Sequence, residues 1–381
     1  MNFNLFDDST EEFYPLTLTR PIADLRIGIT TIKEKWENTL NGHAGYSTES
    51  YLEAKFPKLI AEFEINSRWI PEDDSATIIN SLNPGQALAH GEMVLAARLE
   101  PGQSPEEIVD IVDHPNSPFV LNRITDLFSE NEKAMLLEFL PEPVSVTNQE
   151  QNTLYGDNFY IHPSAHVRGA TLNSESGPIY IGPGAQVMEG SLIRGPFALC
   201  AGAHVKMGSK IYGATTVGPQ SRVGGEISNS VIQGYSNKSH DGFLGNSILG
   251  HWCNLGADTN NSNLKNNYSA VKIWSYSTKK YADSGLTFCG LIMGDHSKSA
   301  INTQFNTGTI VGVNVNVFDS GFPPKFIPSF SWGGSAGSIP YDFNKAMEAC
   351  SRVCTRRDVN WTEKDVSLMR HVYDNLGSSD S

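Results

Sequence analysis

The chain reads as an α/β N-terminal domain followed by a left-handed parallel β-helix, with a short helical tail at the C-terminal end. Three observations predict this. Aliphatic residues recur at every sixth position through Ile181, Val187, Ile193, Leu199, Val205, Ile211, Val217 and Val223. Upstream, apolar runs such as "EMVLAARL" and "ATIIN" alternate with the helical patterns "GITTIKEKWENTL" and "SENEKAMLLEFL". Past Phe318 the period stops, and Pro- and Gly-rich sequence leads into two amphipathic segments.

The expected boundaries are residues 1–145 for the α/β domain, 155–320 for the β-helix and 321–381 for a Pro/Gly-rich wrap with C-terminal helices. "LPEPVSVTNQEQNTLYGDN" reads as the linker into the coil. A period of six fits neither a helix at 3.6 nor a strand at 2. It fits a chain that turns a corner every six residues and points one aliphatic inward per side, so that three sides close a triangular coil. Ile161 and Val167 keep the same spacing ahead of a short insertion around "NSESG". Gly, Asn and Ser supply corners, where a positive φ costs Gly nothing and Asn little. One coil cannot bury its own inner face, so coils must stack. The repeat resumes in "FLGNSILGHWCNLG" and "FNTGTIVGVNVNVF", and residues 257–290 between them read as an excursion. In the tail, 342–356 places Ala346, Met347, Cys350, Val353 and Cys354 on one helix face, and 363–376 starts at a capping box of Thr362 with Asp365.

Composition bounds the function. A formal charge of −14 argues against a nucleic-acid partner, because phosphate-backbone contacts need a basic surface. No apolar run is long enough to cross a bilayer. The N-terminal "MNFNLFDDSTEEF" lacks a basic-then-apolar leader, so a cytoplasmic location is expected. Cys200, Cys253, Cys289, Cys350 and Cys354 show no zinc-type spacing and read as free thiols.

Within the repeat, "GYSNKSHDGFLGNSILG" carries a histidine that a coil does not need, and "NLGADTNNSNLKNN" follows it. His240 and Asn254 are fourteen residues apart and Asn263 is nine further on. This constellation resembles the bacterial bifunctional enzymes that acetylate glucosamine-1-phosphate and uridylylate the product, together with their sugar-nucleotidyltransferase relatives. Those carry a lysine, then a histidine, upstream of a coil ending in N-x-G-A-x-T; here stand Lys238, His240, Asn254, Gly256, Ala257 and Thr259. The family's tyrosine three places after the histidine is Phe243, and Asn237 replaces its lysine three places before, with Lys238 one place nearer. Nearer the start, "PLTLTRPIADLRIGITTI" resembles the "LT-x-x-x-P-K-x-L-x-P-V" segment of sugar nucleotidyltransferases. The preceding G-x-G-x-R loop is absent, and Ile22 stands where the family has lysine.

The resemblance implies an acyl-CoA-dependent transferase, using acetyl-CoA as co-substrate, acting on a sugar phosphate or nucleotide sugar. Histidine suits the base because its pKa sits near neutrality. His240 is the implied base, at the interface of a homotrimer. Asn254 and Asn263 are implied positioners of the acceptor. Lys238 and Lys272 are candidates for a sugar phosphate or the CoA phosphates, and Asp295, His296, Ser299 and Asn302 for the CoA-facing strip. The alternative is nucleotidyl transfer in the N-terminal domain, with Arg20 and Arg26 on an anionic ligand, Mg²⁺ required and the coil serving to trimerise. A further alternative is a non-catalytic sensor or scaffold, in which His240 is a surface residue at a corner. A metal site is not expected: His162 and His166 are four apart, which on a β-helix puts them on different parts of the triangle, and no H-x-x-x-x-H pair follows His204.

Overall fold

The computed structural model describes residues 1–139 and 151–376. Residues 140–150, most of the expected linker, lie outside the described residues. The chain divides into two units. The first holds 1–13, 19–25 and 30–124; the second holds 14–18, 26–29 and everything from Thr125 onward.

The first unit is a six-stranded mixed sheet ordered β2-β1-β3-β5-β4-β6. β1 (Asn2–Phe6) runs parallel to β2 (His43–Ser47) and β3 (Phe63–Asn66). β4 (Gln86–His90) and β5 (Met93–Arg98) form an antiparallel hairpin, and β6 (Asp110–Asp113) pairs parallel with β4. The alternation read from the sequence holds for α1 (Ile32–Leu40), which starts at a full capping box of Thr31 with Glu34. It fails for "ATIIN", which lies in α2 (Ser75–Ser81) and is not a strand. Ser75 and Ile79 are its buried pair and Thr77 between them is exposed, a pattern that a helix produces and a strand, which would bury Thr77 too, does not. Trp36 and Trp69 anchor the core edge-to-face at 4.8 Å, and Trp36 Nε1–H donates to the Trp69 carbonyl at 2.8 Å.

In the second unit, α3 (Asp126–Ser129) and α4 (Asn131–Glu138) precede the left-handed β-helix. Its three sides are sheets of six, nine and ten strands, here faces I, II and III, starting at Thr153–Tyr155, Phe159–Ile161 and His166–Val167 and parallel throughout except for Gly337–Pro340, which closes face III antiparallel to Ser331–Gly334. All eight aliphatics of the six-residue register belong to its interior core. On face II the inward column runs Ile161, Ile181, Leu199, Val217, Ile232, Leu249, Met293, Val311 and Ile327 in register. One line of corners uses left-handed backbone throughout, from Gly184 and Gly202 to the non-glycine residues Gln220, Tyr235, Trp252, His296, Asn314 and Phe330.

Two boundaries differ from expectation. The coil continues through Asn260–Asn261, which pairs with Gln304–Phe305, so the excursion begins at Ser262. The inward residue there is Asn261, whose amide replaces an aliphatic by bonding both the N–H and the carbonyl of Gly245. The coil also runs past Phe318. Phe326–Ile327 and Ser331–Gly334, expected to wrap outside, add the last rungs of faces II and III, because Ile327 stacks inward on Val311. The excursion holds a hairpin of Lys272–Ser275 with Lys280–Asp283. α5 (Phe343–Thr355) buries Ala346, Met347, Cys350 and Cys354, as its spacing predicts. α6 (Glu363–Leu376) starts where Asp365 accepts from both the N–H (2.9 Å) and the hydroxyl (2.6 Å) of Thr362. All five cysteines are buried, and none is in a disulfide. Among the described residues no helix is long and apolar enough to cross a membrane.

Candidate active site

The outward column of face III is polar from His166 to Asn316 and ends at Trp332. His166, Gln186, His204, Arg222, Asn237, Asn254, Lys298 and Asn316 stand in register on successive rungs. The middle of this ladder floors a 620 Å³ cleft in the second unit, whose other lining residues include His240, Tyr235, Trp252, Ile301 and, from the end of α5 onward, Val353, Arg356 and Arg357. His240 and Asn254 therefore meet in one cleft, although they come from different coils. His240 is exposed, in the corner that leads from face III to face I.

Lys238 sits one residue before that corner, at an inward position between Val223 below and the Leu255 column above. It is only 2% exposed. An ammonium inside an aliphatic column needs acceptors, and Lys238 Nζ–H donates to the carbonyls of Gly224 (3.1 Å), Asp241 (3.2 Å) and His240 itself. Burial pulls its pKa down to about 8, against the opposing pull of Asp241 and Asp258. The expected substrate contact is thus corrected. Lys238 points into the coil and braces the corner that carries His240.

Other expected site residues lie elsewhere. Asn263, at the start of the excursion, donates to Asn246 Oδ1 at 2.8 Å and does not line the cleft. Lys272 is exposed on the hairpin of the excursion, and its carbonyl accepts from Lys325 Nζ at 2.7 Å. The CoA-facing strip does not form a surface. Asp295 is buried and accepts from the His251 N–H at 2.8 Å. His296 is buried at a corner, stacked on Trp252 at 6.0 Å and met edge-on by Trp361 at 5.3 Å. Ser299 takes an inward position and shares a 2.9 Å hydrogen bond with Thr259. Only Asn302 is exposed, at a corner with φ 58°. The excursion erased the phase of the repeat, so inward and outward positions after it were not legible.

Arg222, Lys298, Arg356 and Arg357 were not singled out from the sequence, yet they give the cleft its charge. Among the described residues no Asp or Glu lines it. Burial, then Arg222 and Arg356, hold the Arg357 guanidinium below its ordinary pKa. Burial, then Arg222, lower that of His204 on the adjacent rung. Burial likewise lowers Lys298, whose Nζ–H donates to the His296 carbonyl at 2.7 Å. Walking face III in register would have found Arg222. Coils of 18 residues step from His204 to Arg222, but the next step, to Asn237, is 15.

In the first unit, the parallel strands β1, β2 and β3 bring Asp7–Asp8, Thr48 and Ser67–Arg68 to their C-terminal ends, where open α/β sheets bind ligands. The protein's own carboxylates take the donors there. Asp7 accepts from the Ile22 N–H at 3.1 Å and the Thr48 hydroxyl at 2.6 Å. Asp8 accepts from Arg68 Nη2 at 2.6 Å and from Asn66 Nδ2 at 3.1 Å. Burial raises the Asp7 pKa to about 7. Arg20, expected on an anionic ligand, is mostly buried and ion-paired with Asp24 at 2.7 Å. Arg26, in the second unit, donates to the Ile29 carbonyl. Both guanidiniums are committed to partners within a few residues, which corrects their reading as open anion ligands.

Residues 3–140 match the family model described as sugar nucleotidyl transferase. The bifunctional protein GlmU of Synechococcus elongatus is 24% identical over 198 residues, covering 50% of this chain and 39% of that protein. GlmU of Methanocaldococcus jannaschii is 33% identical over 89 residues, 23% of this chain and 21% of its own. The chain spans about two-fifths or less of the length of these curated relatives. Among solved structures, the polysialic acid O-acetyltransferase OatWY aligns at 13% identity and a TM-score of 0.28, covering 56% of this chain and 91% of that one. The chain is thus similar to a sugar nucleotidyl transferase over its first part and, over up to half its length, to bifunctional GlmU proteins.

Proposed function

We propose that the second unit transfers an acyl group, probed first as acetyl from acetyl-CoA, to the amine or hydroxyl of a sugar phosphate or nucleotide sugar. The observation that supports this is the meeting of His240 and Asn254 in one cleft of the solenoid. His240 takes the proton of the acceptor as its nitrogen or oxygen attacks the thioester carbonyl. The Asn254 amide donates to the oxyanion that develops. The C–S bond then breaks, and the thiolate leaves with the proton returned by the imidazolium. His240 stands at an exposed corner, and in this reading a homotrimer supplies the other wall of the site; light scattering on the purified chain tests that stoichiometry. Acetyl-CoA incubated with amino-sugar phosphates, with free thiol followed, tests the activity. Release no faster than by His240→Ala removes the reading.

A second reading, nucleotidyl transfer in the first unit with Mg²⁺, is favoured by the match of residues 3–140. It requires that a nucleotide displace Asp7 and Asp8 from the donors they now occupy. Calorimetry with UTP, dTTP and sugar 1-phosphates in Mg²⁺ tests it, and absence of heat counts against it.

A further inference from the structure

Acyl transfer by His240 and Asn254 leaves the arginines of the cleft without a task. Arg222 comes from face III, and Arg356 and Arg357 come from the end of α5. The dipole of a helix favours cations at its C-terminus, and Arg352 satisfies that rule with a partner, Glu348, at 2.5 Å. The next two arginines behave differently. Arg357 is aimed at the coil, with Nη1 donating to the Gln220 carbonyl and Nη2 to Asn237 Oδ1, both at 3.4 Å. Asn237 is the register neighbour of Arg222, its backbone one rung or about 4.8 Å away, so Arg357 is anchored to the rung next to Arg222. Arg222, Arg356 and Arg357 make no ion pair among the described residues, in a chain whose formal charge is −14.

Gathering like charges without a counter-ion costs energy that a bound anion returns. Guanidinium forks match the paired oxygens of a phosphoryl group. We propose that Arg222, Arg356 and Arg357 form a phosphate clamp in the His240 cleft, so that α5 is part of the substrate site. Tyr235 and Trp252, stacked at 4.3 Å, make the apolar wall of the same cleft. The proposal rests on the acyl-transfer reading for its biological sense. The phosphoryl group then belongs either to the thioester carrier or to the sugar acceptor.

The test is calorimetric titration of the full chain with inorganic pyrophosphate, using wild type, His240→Ala, Arg222→Gln and Arg357→Gln. Thermal melts confirm that each variant is folded, and Arg357→Lys serves if Arg357→Gln is not. Wild type and His240→Ala are expected to bind alike, and the arginine variants about tenfold more weakly. Competition by adenosine 3′,5′-bisphosphate assigns the clamp to the carrier, and competition by glucosamine 1-phosphate assigns it to the acceptor. Unchanged affinity in folded Arg222→Gln and arginine-357 variants, or competition by neither compound, overturns the clamp. If the arginine variants lose pyrophosphate while His240→Ala keeps full turnover, the clamp stands and the acyl-transfer reading falls. The opposite pattern separates them the other way.

Discussion

The side-chain amide of Gln233 holds the main chain of Arg26 on both sides: Oε1 accepts the Arg26 N–H at 2.6 Å, and Nε2–H donates to the Arg26 carbonyl at 3.0 Å. All of these groups are buried. Two residues on, the Gly28 N–H donates to Asn131 Oδ1 at 2.7 Å, and the Gly28 carbonyl accepts from the Thr216 hydroxyl at 2.7 Å. Residues 26–29 are thus fixed to the outside of the coil through their peptides, and Gly28, at φ 68°, leaves no room for a Cβ against the Ala134 backbone.

Gln233→Ala strands one buried N–H and one buried carbonyl. The expected loss is about 2–6 kcal/mol, from roughly 1–3 for each of the two groups. Urea unfolding checks it; an unchanged midpoint would mean that water replaces both bonds.

Lys238→Met matches the aliphatic residues of its column and removes the brace on the His240 and Asp241 carbonyls. Under the proposed acyl transfer we expect kcat to fall while KM stays within about twofold, because the change moves the proposed base and not the binding residues. The stability difference has a defined sign with pH. The folded-state pKa of about 8 lies below the ordinary lysine value of 10.5. Between those values the unfolded chain binds the proton that the native chain has released, so wild type gains stability relative to Lys238→Met as pH rises. Parallel pH dependences for the two proteins would contradict the burial argument.

Asn254→Ala and Asn263→Ala separate the two asparagines. Losing the oxyanion donor is expected to lower kcat by about a hundredfold or more. Asn263 bonds Asn246 outside the cleft, so its removal should leave kcat within about twofold. Equal effects in acetyl-transfer assays would return Asn263 to the site.

Asp7 gives the first unit a pH dependence. Its native pKa, near 7, lies above the ordinary carboxylate value of 3.8. Between the two, the native state holds a proton that the unfolded chain has lost, so stability falls as pH rises from about 4 to 7. Asp7→Asn should flatten that slope. A slope identical to wild type in thermal melts would show that another group carries it.

The interior of the solenoid was legible because one rule sets it. Each side of a coil must bury one side chain, so Ile181 to Val223 announce themselves at a constant spacing, and helix α5 does the same through Ala346, Met347, Cys350 and Cys354. His240 and Asn254 were legible through resemblance to a known motif. What broke the reading was phase. The corner at Gly224–Gly225 has two residues where its neighbour at Ser239–Gly242 has four, and the excursion from Ser262 resets the count entirely. Past those points an alternation of inward and outward positions cannot be carried forward, which is how Ser299 and Asp295 came to be read as surface.

The amino-acid order alone therefore settled that the middle of this protein coils, which aliphatics fill the coil and which histidine interrupts it, since these depend on neighbours six residues apart. Three-dimensional packing decided the rest. It turned Lys238 inward beneath His240, and it brought α5 back over face III so that Arg356 and Arg357 meet Arg222 across more than 130 residues of chain. Such meetings follow from the summed lengths of every corner and insertion between them, and no local pattern records that sum.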